Sequence, residues 1–203
     1  MPEYFVKKFA RGRKGEKGEI DVFQQVLRLS SLCGKDGKNE TIGLAAFPNV
    51  DSSCFQEGKE NIIKHAEIDL VLLHPKKGIF IFNVKNQVHD QLKESASKIV
   101  EDIKDKHSVF LRQLCQAPES TPINAVVCSV GCNIELEVQK AIMGPLQDAK
   151  LQGGCFFLNA DEIRDTDKFV AKCRDDIFGQ VKDLDPTQIG QVVFLGFLRA
   201  AIK

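Results

Sequence analysis

The sequence predicts an α/β domain in which a mixed β-sheet is flanked by helices. Three observations carry this. Two apolar runs, residues 67–74 and 78–86, flank a tight turn at 75–77, which is the pattern of a β-hairpin. A stripe of apolar residues at three- and four-residue steps then runs from about residue 88 to 116, the period of a long helix lying on a sheet. After it, short apolar runs alternate with helical stretches, as strand–helix–strand crossovers require.

The elements follow in order. Residues 1–18 form a basic arm: Lys7, Lys8, Arg11, Arg13, Lys14 and Lys17 stand against Glu3 and Glu16. Gly12, Gly15 and Gly18 argue against a helix there. Between 19 and 31, Ile20, Phe23, Val26 and Leu27 share one helical face. Residues 41–47 read as a short strand and 48–61 as a polar surface loop. In the second hairpin strand, Ile79, Ile81, Asn83 and Lys85 lie on one face and Phe80, Phe82 and Val84 on the other. Both faces begin apolar, so this strand is central and covered on both sides. The long helix carries Leu92, Ala96, Ile99, Ile103, Phe110 and Leu114 on its stripe, with His107 in the slot between Ile103 and Phe110. Residues 118–122 break it. A buried strand at 123–130, a helix over 134–150 interrupted at Gly144-Pro145, a last strand at 155–159 and a helix over 161–180 complete the domain. Pro186 restarts an apolar helix at 187–202. The division is therefore an arm (1–18), an α/β domain (19–180) and a helical appendage (181–203) that leads into a further domain or makes a dimer contact.

Composition narrows the function. The 203 residues hold 28 Lys and Arg against 28 Asp and Glu, so contact with nucleic acid has to come from a local basic patch. Seven scattered cysteines include no Cys-x-x-Cys pair, and the four histidines add no zinc signature. Reduced thiols, a charged start unlike a signal peptide and a longest apolar stretch too short for a bilayer together predict a soluble intracellular protein, cytoplasmic or nuclear.

A polar group inside a buried strand needs a reason, because unpaired burial costs about 2 kcal/mol or more. Asp69 sits mid-strand in EIDLVLLH, and Asn83 and Lys85 close IFIFNVKN. By the period of two, Glu67 and Asp69 share a face, as do Asn83 and Lys85. A hairpin can draw all four around one point, where an acid, an amide and an ammonium could hold a divalent cation and an attacking water.

The stretch 66–86, AEIDLVLLHPKKGIFIFNVKN, resembles the core of the nuclease-related domain (NERD) family of the PD-(D/E)XK superfamily, whose pattern is E-I-D, an apolar strand, a Pro–Gly turn, then F-V-I-E-x-K-N. The family's first helix opens G-x-x-G-E with an apolar residue three on, matched by Gly15, Gly18, Glu19 and Val22. INAVVCSV and CFFLNADEI look like its later strand pair. The resemblance spans residues 15–180, and the hairpin is its specific part. It implies a restriction-endonuclease-like fold and a hydrolase of nucleic-acid phosphodiesters, DNA before RNA, using Mg²⁺ or Mn²⁺. It implies Asp69 as main metal ligand, Glu19 as a helix carboxylate facing the metal, and Lys85 as the residue that orients water and stabilises charge on the phosphate. The family's second carboxylate falls on Asn83, a departure. An amide can ligate through its carbonyl oxygen but brings no charge, so the resemblance implies either an active variant with a neutral amide at this position, as in some superfamily members, or a charge supplied by Glu67 or Glu19. The alternative is an inactive pseudo-nuclease that binds nucleic acid or a protein.

Each residue also has a plainer reading. Asp69 and Lys85 could be a structural ion pair. Glu19 could be a solvated first-turn acid, Glu67 a solvent-facing strand residue, and His65, His74 and His89 turn residues. Gln87 and Gln91 could touch DNA or be a solvated helix start. Lys7, Lys8, Arg11, Arg13 and Lys14 could contact phosphates or form a solvated tail.

Overall fold

The computed structural model describes residues 16–32, 45–51, 67–74, 76–115, 122–148 and 151–184. The basic arm up to residue 15 and the helix expected at 187–202 lie outside the described residues. The fold is α/β. A five-stranded mixed sheet has the order β1-β2-β3-β4-β5 and carries helices on both faces. β1 (Ala45–Asp51), β2 (Glu67–His74) and β3 (Gly78–Lys85) form an antiparallel meander. β4 (Ile123–Ser129) and β5 (Gln152–Leu158) then add in parallel to β3.

The hairpin pairs as the sequence predicts, from Leu70↔Phe82 to His74↔Gly78. Gly78 starts β3 at φ +91°, a conformation that costs an L-residue about 1 kcal/mol or more. β3 is central: Gly78 to Val84 are all buried. One face packs Val71, Leu73, Ile79 and Ile81 against Leu92, Ile99, Ile103, Phe110, Val138 and Ile142. The other packs Leu70, Leu72, Phe80, Phe82 and Val84 against Val22, Val26, Leu29, Ile163 and Phe169.

The helix expected over 88–116 is a continuous helical stretch with one irregularity. It comprises α2 (His89–Glu94), α3 (Ala96–Glu101), a π-helical turn (Asp102–His107) and α4 (Ser108–Cys115). Hydrogen bonds from Ser95 N–H to Gln91 O and from Ile99 N–H to Ser95 O carry it through Ser95. In the π-turn, Ser108 N–H reaches back five residues to Ile103 O.

Several boundaries differ from the sequence expectation, each for a local reason. β1 runs to Asp51 rather than giving way to a loop at Pro48, which stands opposite Leu70. An edge strand tolerates proline because one side of its ladder is unpaired. α1 (Glu16–Leu32) starts three residues before Glu19 and includes Gly18. There a Cβ would stand 2.6 Å from Val130 Cγ2, so the glycine lets the helix lie on the end of β4. α5 (Leu136–Asp148) passes through Gly144-Pro145; only three residues follow the proline, so one lost hydrogen bond does not end the helix earlier. β5 begins at Gln152, before the Gly153-Gly154 pair. A register shift opposite Ile123 and Ala125 is held by Gly154 N–H donating to Asn124 Oδ1 at 2.9 Å. The helix expected at 161–180 is two pieces, α6 (Ala160–Arg164) and α7 (Thr166–Ala171), the second continued by a π-turn (Lys172–Phe178). Asp165 separates them and caps α7, accepting from Asp167 N–H and Lys168 N–H.

Residues 181–184 belong to the domain rather than to an appendage. Leu184 N–H donates to Lys76 O at 2.7 Å, and Lys77 Nζ donates to Val181 O and pairs with Asp183 at 2.6 Å. They strap the chain to the hairpin turn, which is itself built on His74. The buried His74 ring accepts from Lys76 N–H and Lys77 N–H through Nδ1 and lies against Phe178. Burial, with Lys77 beside it, lowers the His74 pKa from 6.5 to about 4. Unfolding therefore takes up a proton wherever the pH lies between those values, and stability contributed by neutral His74 is lost as pH falls from 6.5 towards 4. Replacing His74 with Asn keeps an acceptor near the Nδ1 position and removes the titration. Urea denaturation of the variant should show a shallower loss of stability across that window, and an unchanged slope would exclude His74 as its source.

Among the described residues, no helix is long and apolar enough to cross a membrane.

Candidate metal centre at the carboxyl edge of the sheet

β3, β4 and β5 run parallel, so their carboxyl ends share one edge of the sheet, where open α/β sheets place their ligands. β2, antiparallel to β3, starts at that edge. The hairpin thus delivers Glu67 and Asp69 from one strand and Asn83 and Lys85 from the other, as the sequence predicts.

The local geometry departs from simple alternation. The β2–β3 ladder ends on this side at Leu70↔Phe82, and Asp69 and Asn83 are the next residues on the two strands. Asp69 Oδ2 accepts Val84 N–H at 2.6 Å, so a carboxylate replaces a backbone carbonyl between the strands. Ile68, not Asp69, packs in the core with Val71 and Leu73. The period of two assumed for Glu67 and Asp69 is broken at the position that matters.

Burial raises the Asp69 pKa from 3.8 to about 6. The positive charge of Lys85 and the Val84 N–H oppose that rise, whereas the negative charges of Glu67 and Asp102 add to it. Lys85 acts through space; it is not a hydrogen-bonded partner of Asp69, which disfavours the structural ion pair. Asn83 is 2% exposed, and its Oδ1 has no hydrogen-bond partner. A buried lone acceptor costs about 1–3 kcal/mol. The carboxylate of Asp69 and the amide oxygen of Asn83 are donors of the kind a hard cation takes. Among the described residues, no three His, Cys, Asp or Glu side chains converge on a single metal position.

The remaining expected residues divide. Glu67 is exposed at the start of β2, where its charge acts on Asp69. Glu19 is half-buried on α1 and is not among the charges that dominate Asp69. Gln87 is turned inward: its Nε2 donates to Ser95 Oγ at 3.0 Å, and its Oε1 is buried without a partner. Gln91 is exposed. His89 pairs with Glu135 at 2.8 Å. Lys7, Lys8, Arg11, Arg13, Lys14 and His65 lie outside the described residues. The thiols of Cys128 and Cys155 are pushed up by burial, the latter to about 12, which removes them from nucleophilic chemistry at neutral pH.

Two groups near this edge were not picked out as site residues. Asp102 and His107 open and close the π-turn, which packs against β3. The available signal was a histidine in an apolar slot of the helical stripe; its partners could not be read from the chain. Comparison of the chain with family models, with curated proteins and with solved structures found no match.

Proposed function

We propose that the chain is a divergent, metal-dependent nuclease-like domain of the PD-(D/E)XK type, acting on nucleic-acid phosphodiesters, DNA in preference to RNA. One observation carries the reading: the partnerless, buried Asn83 Oδ1 stands with Asp69 at the carboxyl edge, with the Lys85 ammonium nearby and not consumed by that carboxylate. Asp69 and Asn83 would hold Mg²⁺ or Mn²⁺, which when bound would neutralise charge on the scissile phosphate. Lys85 donates hydrogen bonds to the attacking water and to phosphate oxygens. Val84 N–H fixes the Asp69 carboxylate, so its second oxygen is presented in one orientation. The arm residues Lys7, Lys8, Arg11, Arg13 and Lys14 supply non-specific phosphate contacts, and Gln91 is an exposed polar contact at the start of the long helix.

The second reading, a pseudo-nuclease serving as a binding module, is favoured by the amide at position 83, which leaves the site one negative charge short. Calorimetric titration with Mn²⁺, alongside cleavage of labelled single- and double-stranded DNA, separates the two. The nuclease reading expects weak Mn²⁺ binding that Asp69→Ala abolishes and Lys85→Ala retains, with cleavage lost in both. Nucleic-acid binding without cleavage at any Mn²⁺ concentration establishes the binding module.

A further inference from the structure

His107 is the last residue of the π-turn and is 4% exposed. Its Nδ1 is buried and has no hydrogen-bond partner. The ring lies beside the backbone of Glu67. Burial lowers the pKa to about 4, so the ring is neutral at pH 7. A neutral imidazole offers a lone pair on one ring nitrogen, and no protein hydrogen bond competes for the buried Nδ1.

The surroundings of His107 are those of Asp69. The charges of Lys85 and Asp102 act on both side chains; the Glu67 charge acts on Asp69, and the Glu67 backbone lies beside the His107 ring. The π-turn lies on β3, on the face where Ile79 and Ile81 pack with Ile103 and Phe110. Asn83 belongs to that face by alternation along β3. The face of β3 that meets the π-turn thus carries two nine-tenths-buried side chains with unpartnered polar atoms, Asn83 Oδ1 and His107 Nδ1, at the end of the strand next to Asp69. Burying such a group without a partner is unfavourable, and two at one place indicate a shared ligand. A π-turn inserts one residue into a helix, and such insertions are frequent at functional sites; this one sets His107 at the end of the turn.

Resting on the nuclease-like reading of the same edge, we propose that His107 Nδ1 is a third ligand of the Asp69–Asn83 centre, giving an oxygen–oxygen–nitrogen site that takes a transition dication in preference to Mg²⁺. Imidazole favours metals such as Zn²⁺ and Co²⁺, whereas Mg²⁺ prefers oxygen and dehydrates reluctantly. A neutral nitrogen does not restore the charge missing at Asn83. It replaces electrostatic strength with ligand softness, and so changes which ion is held.

The test uses the whole chain loaded with Mn²⁺, Co²⁺ or Mg²⁺. Pulsed electron paramagnetic resonance of the Mn²⁺ form should show modulation from a directly bound imidazole ¹⁴N. His107→Gln should abolish that modulation and weaken Co²⁺ binding by about tenfold or more, with Mg²⁺ affinity changed less than about twofold. The wild-type spectrum keeps the test valid even where the variant does not fold. Mn²⁺ binding that depends on Asp69 but shows no ¹⁴N modulation overturns the His107 assignment and leaves the metal reading standing. Absence of any Asp69-dependent binding overturns both.

Discussion

Asp69→Asn should make the protein more stable at pH 8 while abolishing metal binding. The Asp69 pKa stands at about 6, above its ordinary 3.8, chiefly because burial disfavours the charged form. A carboxyl raised in this way contributes stability that is fully present below pH 3.8 and lost as pH rises through 6. At pH 8 the folded state bears an ionised, desolvated carboxylate. Two pKa units correspond to about 3 kcal/mol, an upper bound because Asp69 is half-buried rather than sealed. Asn keeps an oxygen for Val84 N–H but forfeits the charge-assisted part of that bond, about 1 kcal/mol. A net gain of about 1–2 kcal/mol follows, or roughly 2–8 °C in Tm. The gain should shrink towards zero by pH 4, where wild-type Asp69 is also neutral. Thermal denaturation of both proteins at pH 4, 6 and 8 checks this. A variant less stable than wild type at pH 8 would mean that the carboxylate is structural.

Asn83→Asp should have the opposite sign and a larger size. It sets a second carboxyl at the Asp69 end of the hairpin, in a buried position with Glu67 and Asp102 already nearby. Two carboxylates sharing such a site cannot both ionise without a cation between them. An uncompensated buried charge costs about 3–5 kcal/mol, so the metal-free variant should melt roughly 6–15 °C below wild type. Mn²⁺ should recover much of that loss, because binding to the folded state alone stabilises by mass action, and cleavage should rise with it. Calorimetric melting with and without Mn²⁺ reads both effects. Equal melting of the two metal-free proteins, with neither shifted by Mn²⁺, would place Asn83 outside any cation site.

The hairpin was readable from sequence because it is local. Apolar runs on either side of the short Pro75–Gly78 turn leave little choice of pairing. The long helix was readable by its stripe, but the π-turn was not, since one inserted residue barely disturbs a pattern of three- and four-residue steps. Two errors share another cause. Gly18 and Pro48 are breakers by propensity, yet both are tolerated through tertiary context: Gly18 by contact with Val130, Pro48 by its place on an edge strand. Asp69, Asn83 and Lys85 were identifiable as polar residues in apolar strands. That Asp69 turns between the strands to take Val84 N–H, and that His107 arrives from 22 residues beyond Lys85, depends on three-dimensional packing that no local window contains.

The strap at 181–184 gives the molecule a polarity. It holds the exit of the described chain at the hairpin turn, and five residue steps of β2 separate His74 at that turn from Asp69, about 17 Å at 3.3 Å per residue. The entry is at the other pole: Gly18 rests on Val130, whose N–H bonds Lys85 O. The described chain therefore enters at the pole that holds Asp69 and Lys85 and leaves at the hairpin turn. A bulky group attached at the exposed Lys17 would crowd that rim, whereas one attached at Leu184 would stand at the opposite pole. The two poles are not equivalent handles, and a reporter or an immobilising surface belongs at the hairpin turn.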